Sequence, residues 1–359
     1  MKIALVNSIM PQPGSGDGMT EYTYQLYKRL SKNNKVDLVY SIRESKRNDI
    51  RGLTYTYFLF SKRIMELARK DYDIIHITNQ EMGFVARILK ENNSKAKVVV
   101  TIHDLMRLKQ GYNRGFLQKK YDKLVSQSVK DAFEYSDYMI FSAQSVEKDS
   151  ARLLKTSGKW STILLGPRDE FTRLKVKARR NPKSFAIGYV GALSHRKNVM
   201  FILRTALEMK ADNKYKFVIY GSGPDLQKLL RFKQEKGLDN VLFMGFAPDK
   251  RLLSIYDSFD LFLYPTLEEG SSLPMLDAQA RGLPVVIMSK NMVDKPVTKY
   301  CFKVDSESSA AGMIKMLLSG KYTEKERKRE IQYARSFSWD MISSKTMRIY
   351  AKLKKHSNL

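Results

Sequence analysis

Residues 258–286 read SFDLFLYPTLEEGSSLPMLDAQARGLPVV, and the fold turns on how this stretch is parsed. The apolar run from Leu261 to Tyr264 stops at Pro265 and has the length of a buried strand. Gly270 breaks the chain, Ser271 or Ser272 can N-cap a helix, and Pro274 fits its first turn. Leu273, Leu276 and Ala280 supply the buried face of that helix, and Val285–Ile287 resumes as a strand. Apolar strands joined through a helix make a parallel α/β unit, because crossover helices cover both faces of the sheet. Capping accounts for the serines and the proline. It does not account for Glu268 and Glu269 ahead of the helix, or for Asp277 in its early turns.

Working outward, the same alternation fills the chain. Strands are expected at Ile3–Asn7, Val36–Tyr40, Ile74–Ile77, Val98–Ile102, Tyr138–Phe141 and Thr162–Leu165, with helices at Thr20–Leu30, Glu81–Lys90, within Phe116–Tyr135 and at Val146–Leu154. Residues 166–184, GPRDEFTRLKVKARRNPKS, are polar, basic and aperiodic, and read as a linker. Strands then restart at Ala186–Val190, Phe217–Tyr220, Val241–Met244, Leu261–Tyr264 and Val285–Ile287, each followed by a helical stretch. The expected division is a Rossmann-like domain over 1–166, a basic linker over 167–184, a second Rossmann-like domain over 185–336, and a C-terminal helix over 337–359 that crosses back to the first domain. A chain of 359 residues suits two domains of ~150–180 residues. Doubly wound sheets bind ligands at the carboxyl ends of their strands, so the loops after strands, at a crevice shared by two such domains, are where chemistry is sought.

Composition narrows the function classes. With 43% hydrophobic and 28% charged residues, both domains can bury full cores. The single Cys301 forms no intrachain disulfide and no Cys/His cluster has zinc spacing, which points to a reducing, cytoplasmic setting. The opening MKIALVNSIMPQPG reads as a first strand rather than a signal peptide, and no run approaches the ~18 apolar residues of a membrane span. The net charge of +27 attracts polyanions. No helix-turn-helix, zinc finger or RRM signature accompanies it, so nucleic acid is not the expected partner. A solubilising surface, an anionic membrane face and a phosphorylated ligand remain as readings; LMRLKQGYNRGFLQKKYDKL, Leu105–Leu124, interleaves cations with aromatics in a way that suits an anionic leaflet.

Five loops carry candidate residues. After the first strand, Gly14, Gly16 and Gly18 permit close backbone approach, yet the GxGxxG spacing fails, and a loop without ligand reads equally well. His103 follows the strand VVVTI and can hydrogen-bond a substrate hydroxyl or sit as a satisfied half-buried histidine; His76 reads as structural. Arg196 and Lys197 precede a helix for which Asn198 is a good N-cap, and two cations there oppose the helix dipole unless an anion is bound. Gly221 and Gly223 form a specified turn whose ligand is open. In the opening stretch, the amides of Ser271 to Leu273 would point at a phosphate above them.

On these residues the chain resembles the retaining glycosyltransferases of the GT-B fold, specifically their large family 4 group. The resemblance is carried by YVGALSHRKN (189–198), VIYGSGP (218–224), the block 241–286 and SFSWDMISSKTMRIY (336–350), and more weakly by the glycine loop, TIHD and FSAQSVEKD of the first domain. The family's E-G-F-G-L-P-x-x-E corresponds to Glu269 through Asp277. The resemblance implies that Glu269 lies at the donor sugar's hydroxyls and reaction centre, with Gly270, Ser271, Ser272 and Leu273 around the phosphates. It places Asp277 at the ribose diol, one methylene shorter than the usual Glu. Lys197 matches the family's lysine, Ala192 stands where its phosphate-binding arginine is found, and Arg196 is placed to supply that cation. Gly18 matches the first glycine loop, where Asp17 departs from the usual Gly; His103 matches a histidine near donor sugar and acceptor; and Phe246 stands where backbone contacts the base.

The implied activity is transfer of a sugar from a UDP- or GDP-sugar to a glycan or lipid-linked acceptor with retention, at an anionic membrane surface on the cytoplasmic side. Cations and helix N-termini stabilise the leaving diphosphate, so no metal and no cofactor are expected. Two other classes are weighed: a nucleotide-sugar-binding scaffold with a degenerate catalytic site, which binds without turnover, and a charge-driven nucleic-acid binder with steep salt dependence. An inverting GT-B enzyme would be told apart by product stereochemistry.

Overall fold

The computed structural model describes residues 1–11, 18–42, 60–105, 108, 116–154, 159–176, 183–291 and 293–355. Gly14, Gly16 and Asp17 lie outside the described residues, as do 106–107 and 109–115 of the basic stretch. The chain divides into two compact units, Met1–Leu165 with Trp339–Leu359, and Gly166–Ser338.

In the first unit the strands are β1 (Lys2–Ile9), β2 (Lys35–Ile42), β3 (Ile74–Ile77), β4 (Lys97–Ile102), β5 (Tyr138–Phe141) and β6 (Lys159–Thr162). They form a parallel sheet in the order β2-β1-β3-β4-β5-β6. Helices α1 (Gly18–Leu30), α2 (Phe60–Ala68), α3 (Phe84–Glu91), α4 (Phe116–Tyr135) and α5 (Gln144–Leu153) connect them. Strands β3 and β4 are buried almost throughout, and apart from His76 and Thr101, which bond to each other, their buried positions are Val and Ile rather than alternating. Strand β6 lies earlier than the expected Thr162–Leu165: it is the edge strand, and its first residues, Lys159 and Trp160, are exposed, so no buried apolar run marks it.

The second unit repeats the plan. Segment α6 (Asp169–Arg173) precedes β7 (Phe185–Val190), α7 (Val199–Glu208), β8 (Tyr215–Tyr220), α8 (Leu226–Lys236), β9 (Val241–Gly245), α9 (Asp249–Tyr256), β10 (Leu261–Leu263), α10 (Leu273–Ala280), β11 (Val285–Met288), α11 (Lys295–Thr298) and β12 (Phe302–Val304). The sheet order is β12-β11-β10-β7-β8-β9, all parallel. Strand order therefore reverses between β7 and β10, and the loops leaving these two strands bound the point where such sheets bind ligands. Helices α12 (Glu307–Met316) and α13 (Glu324–Ser336) follow, each opened by a capping box, Ser306 with Ser309 and Thr323 with Glu326.

The last helix, α14 (Trp339–Lys355), belongs to the first unit. Its Tyr350 hydroxyl meets His76 Nδ1 at 2.5 Å, His76 Nε2 meets Thr101 Oγ1 at 2.7 Å, and Thr101 meets the Tyr22 hydroxyl at 3.0 Å. Burial, aided by the nearby His103, pushes the His76 imidazole down to about 3, so it serves as a neutral bridge. Trp339 is buried against Tyr22, and Arg29–Asp340 and Lys354–Asp73 ion pairs hold the two ends of the helix.

One buried acid in α13 sets a pH dependence. Burial pushes Glu330 up from 4.5 to about 7, against the hydrogen bond donated by the Tyr322 hydroxyl at 2.7 Å. A carboxyl whose folded pKa is raised contributes full stability below pH 4.5 and loses it as pH rises to 7, a difference of about 3 kcal/mol. Glu330→Gln keeps an acceptor for Tyr322. It is expected to flatten the melting profile between pH 4.5 and 7 and to melt above the parent at pH 8; parallel profiles would refute the assignment.

Candidate functional site

The loop leaving β7 is shaped by two close approaches. A Cβ on Gly221 would stand 1.9 Å from the Gly191 carbonyl oxygen, and one on Gly223 would stand 2.3 Å from that of Leu193; both glycines hold positive φ. Glycine is required here because the loops after β7 and β8 pack backbone to backbone, joined by Leu193 N–H to Ser222 O at 2.8 Å and Asp225 N–H to Leu193 O at 3.0 Å. The Tyr189 hydroxyl donates to the Ala192 carbonyl at 2.9 Å, fixing the start of the loop.

Arg196 and Lys197 do not lie ahead of a side-chain-capped helix. They form a single 3-10 turn, His195–Lys197, and Asn198 ends it in the left-handed conformation with no side-chain cap bond to α7. A 3-10 turn passing directly into an α-helix leaves no extended residue to act as an N-cap, so the expected cap is not made. The two cations are instead turned toward the loop after β10. Arg196 Nη1 reaches Glu269 Oε2 at 2.6 Å and the Glu268 carbonyl at 2.9 Å; Lys197 Nζ reaches the same Glu269 oxygen and the Tyr264 hydroxyl at 2.6 Å. Leu267 N–H to Arg196 O at 2.9 Å joins the two loops by their backbones. Burial would raise the Glu269 carboxyl, but Lys197 and Arg196 hold it below the ordinary carboxylate value. Two cations thus converge on one carboxylate at the end of the sheet.

Tyr264 is a residue that sequence reading missed. It is fully buried, stacked on Tyr189 at 5.7 Å and on Phe262 at 5.5 Å, and it orients Lys197 through its hydroxyl and beneath its ring. The signal lay in the two tyrosines of adjacent strand ends, YVG and LYP, which parallel pairing of β7 with β10 brings together.

The N-terminus of α10 lies next along the chain. Pro274 is in the first turn as expected, and Ser272 stands at the N-cap position in extended conformation, but neither serine caps as the sequence suggests: Ser272 makes no side-chain cap bond and the buried Ser271 hydroxyl has no hydrogen-bond partner. The first amides of α10, at Leu273 and beyond, are thus left for another acceptor. Gly270 leads into this turn and Leu273 packs inward at 4% exposure. Asp277, one turn on, is fully buried; its Oδ1 accepts the Arg168 backbone N–H at 2.8 Å and its Oδ2 pairs with the Arg168 guanidinium.

Phe246 projects from the loop after the edge strand β9 with 62% exposure. In the first unit, His103 follows β4, its backbone N–H donating to Gln80 Oε1 and its Nε2 donating to the Thr78 carbonyl, both at 3.0 Å; the carbonyl partner fixes the Nε2–H tautomer. The Tyr22 ring meets the imidazole edge-on at 4.9 Å. Gly18 begins α1, two residues before the expected start.

Residues 170–337 match the family model described as glycosyl transferases group 1. A stretch of 169 residues is 26% identical to the O-antigen chain mannosyltransferase B of Escherichia coli, covering 45% of this chain and 44% of that one. Over 243 residues the chain is 26% identical to the UDP-Gal:alpha-D-GlcNAc-diphosphoundecaprenol alpha-1,3-galactosyltransferase of Escherichia coli, covering 63% of this chain and 60% of that one. The chain thus aligns with about half the length of these relatives. Among solved structures, Anabaena HepE in complex with UDP-glucose superimposes with a TM-score of 0.73 over 98% of this chain and 100% of that one, at 16% identity. Two parallel six-stranded sheets with covering helices give this chain a GT-B fold, and its second unit is matched along nearly its whole length by glycosyl transferases group 1.

Proposed function

We propose that this protein transfers a hexosyl group from a UDP- or GDP-sugar to a glycan or lipid-linked acceptor, with retention and without a bound metal, at the anionic cytoplasmic face of a membrane. The observation that carries the reading is the Arg196–Glu269–Lys197 constellation at the strand-order reversal of the second sheet. A diphosphate placed over the N-terminus of α10 would meet the amides after Ser272, the unpartnered Ser271 hydroxyl and both cations. As the bond to the sugar breaks, negative charge grows on the leaving diphosphate, and Lys197, oriented by Tyr264, stabilises it without reorganisation. Glu269 is ionised and already bound by two cations; it therefore suits orientation of sugar hydroxyls better than nucleophilic attack. Retention then proceeds on the front face, with a diphosphate oxygen receiving the acceptor proton. His103, held in place by Thr78 and Gln80, is the first-unit residue this reading assigns to an acceptor or sugar hydroxyl. The excess of cations, +27 overall, suits an anionic surface and a phosphorylated acceptor, the class named for the galactosyltransferase relative.

The test is a panel of UDP-, GDP- and ADP-sugars followed by binding heat and slow donor hydrolysis, with and without anionic vesicles. Binding and hydrolysis confined to one base are expected, with faster turnover on anionic than on neutral vesicles. Silence toward every nucleotide would end the donor reading.

A further inference from the structure

The terminal strands of the two sheets differ in how they meet water. Three of the four carry charge within the strand: Lys35 and Asp37 in β2, Lys159 in β6 and Lys303 in β12. Such charges oppose pairing with another chain, because a second strand would bury them. The fourth, β9, reads VLFMG from Val241 to Gly245, with neither a charge nor a proline. Leu242 is 42% exposed and Met244 50%; they alternate along the strand and so share a face, while Val241 on the opposite face is buried. Leu230, on the helix α8 that leads into β9, is 37% exposed. Phe246, just beyond the strand, belongs on the donor reading to the nucleotide base.

The kinds of occupant differ in what they offer this edge. As a terminal strand, β9 has one row of backbone N–H and C=O groups that the sheet does not pair. Lipid supplies no partner for such groups, which is why open sheet edges are excluded from hydrocarbon. A polyanion matches cations and gains nothing from Leu242 and Met244. Another strand satisfies both the backbone row and the apolar face. The charges flanking β9 say which strand: Asp239 precedes it, Lys250 and Arg251 follow it, and all three are exposed. A two-fold axis normal to the sheet pairs identical strands antiparallel. Each Asp239 is then directed toward the Lys250 and Arg251 end of the other copy. Paired about Phe243, Leu242 of each copy stands opposite Met244 of the other, on one side of the joined sheet.

We propose that two copies of this chain associate through β9, antiparallel about Phe243, so that the six-stranded sheets of their second units join into one sheet of twelve. The dimer does not depend on the donor reading, since none of the residues that carry it belongs to the Arg196, Lys197 and Glu269 cluster.

Sedimentation equilibrium of the full chain tests this, with Leu242→Lys and Met244→Lys as edge variants and Leu153→Lys, an exposed leucine of the first unit, as the control. The parent is expected to dimerise with a dissociation constant on the order of micromolar or tighter. Either edge variant sets a cation at a paired position and is expected to weaken the dimer at least about tenfold, with Leu153→Lys matching the parent. Each copy carries +27, so raising salt from about 0.05 to 0.5 M screens repulsion between copies and is expected to tighten the dimer. A parent that stays monomeric at about 100 μM overturns the proposal, as does a dimer that both edge variants retain at parental strength or one that dissolves as salt rises. If neither edge variant folds, hydrogen exchange of the parent decides: slowing of the β9 amides with rising chain concentration supports the pairing, and rates independent of concentration overturn it. Anionic vesicles that bind the monomeric parent and not Met244→Lys would overturn it in favour of a lipid-facing edge.

Discussion

Glu269→Gln is expected to leave nucleoside diphosphate binding intact, or to tighten it up to about tenfold, while lowering sugar transfer by roughly 10²–10³-fold. The two effects diverge because this carboxylate faces two ways. Toward the protein it neutralises Arg196 and Lys197, which reach the same oxygen. Removing its charge raises the net positive charge around the N-terminus of α10, which favours a diphosphate. On the proposed reading it also orients the sugar's hydroxyls at the reacting carbon, and an amide would hold them less firmly. Calorimetry with UDP and GDP and turnover under saturating donor separate the two. A variant that loses binding and turnover in equal measure would show that Glu269 acts only as a brace for the cations, and Lys197→Met, which removes the ammonium held by Tyr264, gives the pattern that such a loss would resemble.

Arg281→Leu is expected to destabilise the second unit by about 3–5 kcal/mol, the largest stability effect among the charged residues described. Its guanidinium is buried and meets Asp257 at 2.8 and 3.0 Å, so its loss leaves Asp257 without its paired cation in a site where Asp257 is itself only 9% exposed in its side chain. The same change frees the Leu174 carbonyl from one of its two arginines and takes from Lys175 its bond to the guanidinium. Circular dichroism in urea measures the cost. A loss below about 1 kcal/mol would mean that the pair is offset by desolvation and that residues 166–176 are held by Phe171 and Arg168 alone.

The alternation of strands and helices was legible because buried parallel strands run largely apolar, as β10 does throughout and β3 and β4 do but for His76, Lys97 and Thr101. The candidate site was legible for a related reason: a strand-order reversal gathers the loops after β7 and β10, and each announces itself by charges and a glycine next to an apolar run. Local capping was less legible. Ser272 and Asn198 have the composition of caps, but a cap is a geometry: Asn198 takes a left-handed backbone, and Ser272, extended as a cap should be, makes no side-chain cap bond. Residues 166–176 were read as an aperiodic linker because their order comes from Asp277, Arg281 and Arg335, whose separation from them in sequence leaves no periodic trace. The same holds for Lys197: its neighbours in the chain suggested an unpaired cation, whereas Glu269 and Tyr264 are supplied from the loop leaving another strand.

The place of α14 in the first unit bears on how the polypeptide is made. The pocket that receives Tyr350 beside His76, and the surface against Tyr22 that receives Trp339, are built from residues translated early, whereas their contents come last. All of Gly166–Ser338 leaves the ribosome in between, a delay of ~10–30 s at ordinary elongation rates. Through that interval the contacts of His76 with Tyr350 and of Tyr22 with Trp339 remain unmade in the nascent first unit.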